Sequence, residues 1–294
     1  MNRSIKSVLD QTYQNIECLV IDDGSTDDTE EKVKNLMTHE PRLKYFKLKN
    51  GGQSVAKNFG IKQAQGEFIA FNDHDDAYLP EYVQKAVEAF RHLPADVAYL
   101  SGGVINEDEF GRKTYYLPQL EPFWKLSIGN GWVFRQSAFE KFGIHSDPSM
   151  SGFEDLDLHL QFRQHFRGYV IDVPLRLYFL RTRPSSSALS SSEYHKRFVR
   201  SFENFFTKYE KLYENQGEEA ISWLCFFGGL VYMRASQVDK GRLFLKRSRQ
   251  RQPSFKNILY SGFATFGYKP FLIFDNFKNS FMRVIRSLLL NRVP

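Results

Sequence analysis

Cysteine is scarce in this 294-residue chain: Cys18 and Cys225 are the only two. They share no CxxC spacing and have no histidine close in sequence, which argues against a disulfide framework and a Cys/His metal site; buried reduced thiols are expected. Long apolar runs are missing as well. The longest uncharged one, Ile221 to Met233, falls well short of the ~20 residues a membrane span needs, and the start, MNRSIKSVLDQTYQN, has no apolar secretion-signal core. The expected location is therefore cytoplasmic, at most peripheral on the inner face of the cell membrane. No repeat of fixed period is evident, and no glycine-rich phosphate loop lies near the start, which weighs against a nucleotidyltransferase.

What is present is ample core material and a lopsided charge. With 42% hydrophobic and 16% aromatic residues the chain can bury a sizeable interior. Residues 1–194 carry 22 Lys/Arg against 27 Asp/Glu, while residues 195–294 carry 18 against 7. The acidic part holds the candidate site, and the basic part is expected to meet something anionic. No nucleic-acid-binding motif accompanies the basic region, so nucleic acid is not an expected partner.

Helical and strand periodicities alternate through the first half. Ile5, Val8 and Leu9 predict a first helix; Ile16–Ile21 a strand; Ser25 caps a helix through Val33, Leu36 and Met37; Leu43–Leu48 a strand. A helix around 54–65, a strand at 67–71 and a helix from Pro80 continue the pattern. Further expectations are a strand at 97–105, a looser aromatic stretch at 106–130, a strand and short helix over 133–142, a helix from Glu154 closed by Gly168, and a strand at 169–180. This β-α-β order predicts an α/β domain with a mostly parallel sheet flanked by helices. The Ser-rich run after Arg181 reads as a linker, and helices are expected at 198–213, 218–233, 241–249, from 253, and at 270–290. The expected division is 1–183, a linker at 184–195, and a basic α-helical region at 196–294.

Two carboxylate clusters end apolar strands: IECLVIDDGSTDD and GEFIAFNDHDDAYLP. In an open α/β sheet ligands sit beyond the carboxyl ends of strands, so both clusters are expected to face one crevice. Asp73 and Asp75 form a D-x-D, a hard-oxygen set suited to Mg2+ or Mn2+ bridging a diphosphate. Helix capping is the structural alternative for these acids.

Three stretches in this order and spacing, SVLDQTYQNIECLVIDDGSTDDTEEKV, NGGQSVAKNFGIKQAQGEFIAFNDHDD and GFEDLDLHLQFRQHFRGYVIDV, resemble family 2 glycosyltransferases of the GT-A fold, over about residues 4–183. The resemblance implies a Rossmann-like GT-A domain that moves a sugar from a nucleotide-sugar, a UDP-sugar first of all, to a hydroxyl acceptor on a glycan or lipid, with inversion. It implies that Asp23, with Asp22, contacts the nucleoside; that Asp73 and Asp75 meet ribose, metal and diphosphate; and that Lys57 and Asn58 line the donor pocket. Glu154-Asp155 matches the family's E-D motif, with Asp155 as the base and Glu154 on the acceptor side. Asp157, which could face solvent, stays outside the catalytic set.

Two departures from the family pattern stand out. Arg183 occupies the place of a histidine, keeping a guanidinium that can grip diphosphate. The chain also opens at Met1-Asn2, just after the place of the strand with which family members begin, so part of the nucleotide-binding floor is expected to be missing. A non-catalytic remnant or scaffold is the rival reading. In the basic region Arg242, Lys246, Arg247, Arg249 and Arg251 cluster, and Phe281, Val284, Ile285 and Leu288 share a last helix with Arg283 and Arg286. That combination suits an anionic membrane surface; a helical subdomain with a solvated basic face is the alternative.

Overall fold

The computed structural model describes residues 2–108, 110–122, 131–179 and 192–275. The chain divides into two compact units, Met1–Ser185 and Ser186–Pro294.

In the first unit a short helix, α1 (Asn2–Leu9), lays Ile5 on a small core with Cys18, Val33 and Leu43. That core also holds β1 (Cys18–Asp22) and β2 (Leu43–Lys47), paired in parallel with Asp22 opposite Lys47. Between them runs α2 (Thr29–Met37), whose first turn carries Glu30 and Glu31 where the helix dipole favours anions. Ser25, expected from the sequence to cap it, does not. Asp28 occupies the N-cap position, and the Ser25 amide instead donates to Asp22.

A helix, α3 (Gln53–Gln63), leads to β3 (Phe68–Ala70), then β4 (Ala77–Tyr78), α4 (Tyr82–His92), β5 (Val97–Glu107) and β6 (Lys113–Tyr116). The unit closes with β7 (Trp132–Arg135), α5 (Gln136–Phe142), a single 3-10 turn at Pro148–Met150, α6 (Glu154–His165) and β8 (Arg167–Phe179). The larger sheet runs β3-β7-β5-β8-β4, with β6 on β5.

The expected mostly parallel sheet is corrected here to a mixed one. Only β5 and β8 pair in parallel within it; β3/β7, β5/β7, β5/β6 and β4/β8 are antiparallel. β3 and β5 still run in the same direction, as a β-α-β crossover through α4 requires. What periodicity did not reveal is that β7 inserts between them with opposite sense.

Alternation along the strands divides the core. Tyr99, Trp132 and Phe134 face Phe139 of α5 and Phe162 of α6, while Leu100, Val133 and Leu175 face Tyr82 and Phe90 of α4. Helices thus cover both faces of the sheet. Gly168 does not close α6; it lies inside β8, where the Tyr99 ring packs over it too closely for any side chain. Among the described residues β1 pairs only with β2 and β3 only with β7. The segments flanking the two sheets are linked instead: Glu17 accepts from the Gln65 amide at 2.6 Å, Asn72 donates to the Ser4 hydroxyl at 2.9 Å, and the Thr12 amide donates to the Pro80 carbonyl at 2.9 Å.

The second unit is helical: α7 (Ser192–Asn215), α8 (Glu218–Arg234), α9 (Val238–Arg251), α10 (Phe255–Thr265) and a helical segment over 268–275. Residues 192–195, expected in the linker, already belong to α7. Of the expected last helix only the start lies within the described residues; Phe281 to Leu288 fall outside them. Both cysteines are free and buried, and burial pushes their thiols up, Cys18 to about 12 and Cys225 to about 11.

Candidate functional site

Asp22 ends β1, and its carboxylate is used locally. One oxygen accepts from the Ser25 amide at 2.7 Å and the other from the Tyr45 hydroxyl. Burial works against its charged form, but the bonds from Ser25 and Tyr45, helped by Lys47, outweigh it and hold the carboxyl below the ordinary range. Asp23, the next residue, turns both oxygens to the loop before α3, accepting from the amides of Gly51 and Gly52 at 2.8 Å each. Its oxygens keep further lone pairs, and it is partly open to solvent.

That loop passes close to the β1 turn. Gly24 has φ of 82°, and a Cβ on it would lie 2.9 Å from the Asn50 nitrogen. Gly52, with φ of 90°, then starts α3 and brings Gln53, Ser54, Lys57 and Asn58 onto its first turns.

Lys57 is the hub. Its ammonium donates to Asp155 at 2.6 Å, linking two residues 98 apart in sequence, and its side chain is only 9% exposed. In the amide orientation that satisfies both ends, Gln53 accepts from Lys57 at 3.3 Å and donates to Glu154 at 2.7 Å. Burial raises the Asp73 carboxyl above its ordinary value; Lys57 opposes that rise, and the nearby Asp155 and Asp75 add to it. Acids from the D-x-D loop and from the start of α6 therefore crowd around one ammonium.

The other residues expected here divide by task. Asn58 clamps Ser146, donating to its carbonyl at 2.7 Å and accepting from its amide at 2.8 Å. With the Ser54–Ser146 hydroxyl contact at 3.0 Å, it fixes the segment that leads into Glu154 and Asp155. The Asn58 amide is thereby engaged by the fold. Glu154 also accepts from the Gly152 amide. Asp157, left open to solvent in the sequence reading, is fully buried and accepts from Gln161 at 2.7 Å. Arg183 lies outside the described residues.

Sequence reasoning missed Gln53, Tyr45 and Arg176. Arg176 of β8 is 8% exposed, runs over Gly131, and approaches Asp76 of the acidic loop at 4.0 Å. A Cβ on Gly131 would lie 2.7 Å from the Arg176 Cδ, so only glycine leaves it that path. The one available signal was an arginine between the apolar residues Leu175 and Leu177 of the strand.

Metal fit follows from the donor set. Among the described residues no three His, Cys, Asp or Glu side chains are grouped as a ready-made metal cage. Asp73 and Asp75, two carboxylates on one turn, fit the other mode, in which Mg2+ or Mn2+ takes one or two carboxylates and completes its shell with phosphate oxygens and water.

Comparison with known proteins gives three kinds of match. The family model described as "Glycosyl transferase family 2" matches residues 1–150. An uncharacterized glycosyltransferase of Rickettsia conorii is 37% identical over 131 residues, 44% of this chain and 21% of that protein. The GalNAc(5)-diNAcBac-PP-undecaprenol beta-1,3-glucosyltransferase of Campylobacter jejuni is 35% identical over 118 residues, 38% of each chain. The matches thus span from about a sixth to about half the length of the curated relatives. Among solved structures, the mannosyltransferase PcManGT of Pyrobaculum calidifontis, in complex with GDP-Man and Mn2+, aligns with a TM-score of 0.56 at 15% identity, covering 99% of this chain and 84% of that one. At that identity the likeness is one of fold. No helix among the described residues is long and apolar enough to cross a membrane.

Proposed function

Because the chain belongs to glycosyl transferase family 2, we propose that it moves a sugar from a nucleotide-sugar donor to a hydroxyl acceptor with inversion at the anomeric carbon. The observation that carries this reading is the Lys57 hub, which gathers Asp155, Glu154 through Gln53, and the charge of Asp73. In the proposed reaction Asp155 takes the proton of the acceptor hydroxyl. The acceptor oxygen then bonds to the anomeric carbon as the bond to the diphosphate breaks, and the electron pair leaves with the nucleoside diphosphate.

Asp23 holds the nucleoside in this proposal, while Asp73 and Asp75 hold Mn2+ or Mg2+, which when bound offsets charge on the leaving diphosphate. Lys57 lies beside the donor diphosphate, Asn58 fixes the segment bearing the base, Arg183 reaches the diphosphate, and Glu154 orients the acceptor. Asp22 supports the turn that presents Asp23. A UDP-sugar is the first donor proposed, and a GDP-sugar the second because the Pyrobaculum neighbour holds GDP-Man. The acceptor is a glycan or lipid-linked hydroxyl; the name of the Campylobacter relative points to the lipid-linked class. Surface polysaccharide or glycolipid synthesis at the cytoplasmic face of the membrane is the proposed setting.

Calorimetric titration with UDP, GDP and their sugars, with and without Mn2+, tests the reading. Binding that needs Mn2+ and is lost in Asp73→Asn supports it, and Asp155→Asn should bind donor as well as the parent but lose transfer by 100-fold or more, taking about 10²–10⁴-fold as the worth of a general base. Unchanged turnover in Asp155→Asn would defeat the base role. A second reading, a non-catalytic scaffold, has one observation in its favour: Asp22–Asp23 and Asp73–Asp75 follow strands of two sheets that do not pair with each other among the described residues. Absence of any metal-dependent nucleotide binding would favour it.

A further inference from the structure

The basic cluster expected to meet an anionic surface is largely engaged inside its own unit. Arg247 pairs with Glu210 at 2.7 Å and lies near the rings of Phe206 and Phe244. Arg251 pairs with Glu218 at 3.0 Å and approaches Glu214 at 3.8 Å. Arg242 donates to the carbonyls of Ala264 and Thr265, so it caps the C-terminal end of α10.

Apolar exposure lies elsewhere, on α10 and the helical segment after it. Phe255 is 79% exposed, Ile258 47%, Phe266 75% and Ile273 70%. At 100° per residue, positions 255, 258 and 266 share one narrow stripe with Gly262. The opposite side of α10 is buried through Asn257, Tyr260, Ser261 and Ala264, so the stripe is not a frayed end. Single exposed apolar residues are ordinary; a row of large ones marks a contact surface.

The charge around the stripe chooses the partner. From Gln252 to Asp275 the only acid is Asp275, which is buried and held by Arg234 at 2.7 Å and by Tyr260 at 3.0 Å. Lys269 is exposed in the segment after α10, and Lys256, also exposed on α10, holds its ammonium 4.0 Å from the Phe226 ring centroid. The sequence after Asp275 adds Lys278, Arg283, Arg286 and Arg292 and no acid. Two copies meeting through this segment would set its lysines against each other, whereas an anionic lipid surface complements them.

We propose that the stripe of Phe255, Ile258 and the C-cap residue Phe266 along α10 is an interfacial surface that inserts its rings at the headgroup level of an anionic phospholipid membrane. This deepens the membrane part of the proposed function and rests on it, but vesicle binding reads neither donor nor turnover, so failure of one is distinguishable from failure of the other.

The test is co-sedimentation of the full chain with vesicles of phosphatidylcholine alone and with about a third phosphatidylglycerol, at low salt and at about 0.5 M salt. The parent should pellet with the anionic vesicles and be released by salt. Phe255→Ser with Phe266→Ser, both at exposed positions, should weaken partition by about tenfold or more while circular dichroism stays unchanged. Should that variant lose its helical signal, Phe266→Trp in the otherwise intact chain gives an independent readout: a blue shift on adding anionic vesicles in the difference between its emission and that of the parent, which holds Trp124, Trp132 and Trp223 alone. A parent that stays in the supernatant, a folded double variant that pellets like the parent, or a difference emission of the Phe266→Trp chain that vesicles leave unchanged would each overturn the proposal. So would concentration-dependent self-association that the double substitution abolishes without any change in vesicle binding.

Discussion

At the scale of single residues, charge placement makes the firmest predictions. Asp22 titrates below the ordinary carboxylate range because Ser25 and Tyr45 hydrogen bonds overcome its burial. A depressed folded value contributes stability that is full at neutral pH and lost as pH falls below the ordinary value of about 3.9 through the lowered one. Asp22→Asn should therefore lower the urea midpoint at pH 7, and the gap to the parent should close in acid. Tyr45→Phe should cost about 1 kcal/mol at pH 7 through the same bond. His159 also titrates below its ordinary value, so it shares the direction with pH, but here removal of the group is favourable. It is fully buried beside the rings of Tyr99 and Trp132, its two nitrogens have no hydrogen-bond partner among the described residues, and burial with nearby Arg163 pushes it down to about 3. Between about 6.5 and that value the unfolded chain takes up a proton that the folded one refuses, so acid erodes stability. His159→Phe should match or exceed the parent at pH 8 and gain on it steadily below pH of about 6.5, measured by urea unfolding. Asp155, Asp73 and Lys57 could be named from motif spacing. That Lys57 bonds Asp155, or that Asn58 clamps Ser146, could not, because those contacts span 98 and 88 residues.

At the scale of elements, helices were read from periodicity to within a few residues, since an amphipathic stripe is local information. Sheet order was not, because the insertion of β7 between β3 and β5 depends on where a loop delivers a strand, which no period encodes. Glycines in helices give the same lesson in energetic form. In α8 a Cβ on Gly229 would meet Leu245 of α9 at 2.5 Å from its side chain and 3.2 Å from its backbone nitrogen, so close helix approach requires glycine there. In α10 a Cβ on Gly262 would meet nothing within 4 Å. Gly229→Ala should destabilise the helical unit by about 1–3 kcal/mol as an overpacked site. Gly262→Ala should stabilise it by about 0.5–1 kcal/mol through helix propensity alone. Chemical unfolding followed at 222 nm separates the two, and equal effects would refute this view of α8 packing.

At the scale of the whole molecule, the prediction is linkage. A nucleotide bound only by the folded first unit at about a hundredfold its Kd contributes about 2.7 kcal/mol. For a unit of this size that is a rise in Tm of about 5–10 °C, dependent on Mn2+ and absent in Asp73→Asn. No shift at saturating UDP or GDP would count against donor binding by this chain. The sequence by itself determined the family, the α/β class, the presence of a basic helical region and the acids that end β1 and follow β3, because strand-end carboxylates and helical stripes are written in neighbouring residues. Tertiary structure alone decided the rest: the mixed sheet, the Lys57 hub, the buried Asp157, and which basic residues are bound internally while the α10 stripe stays exposed. Those outcomes depend on contacts between segments far apart in the chain, and a linear pattern carries no distances.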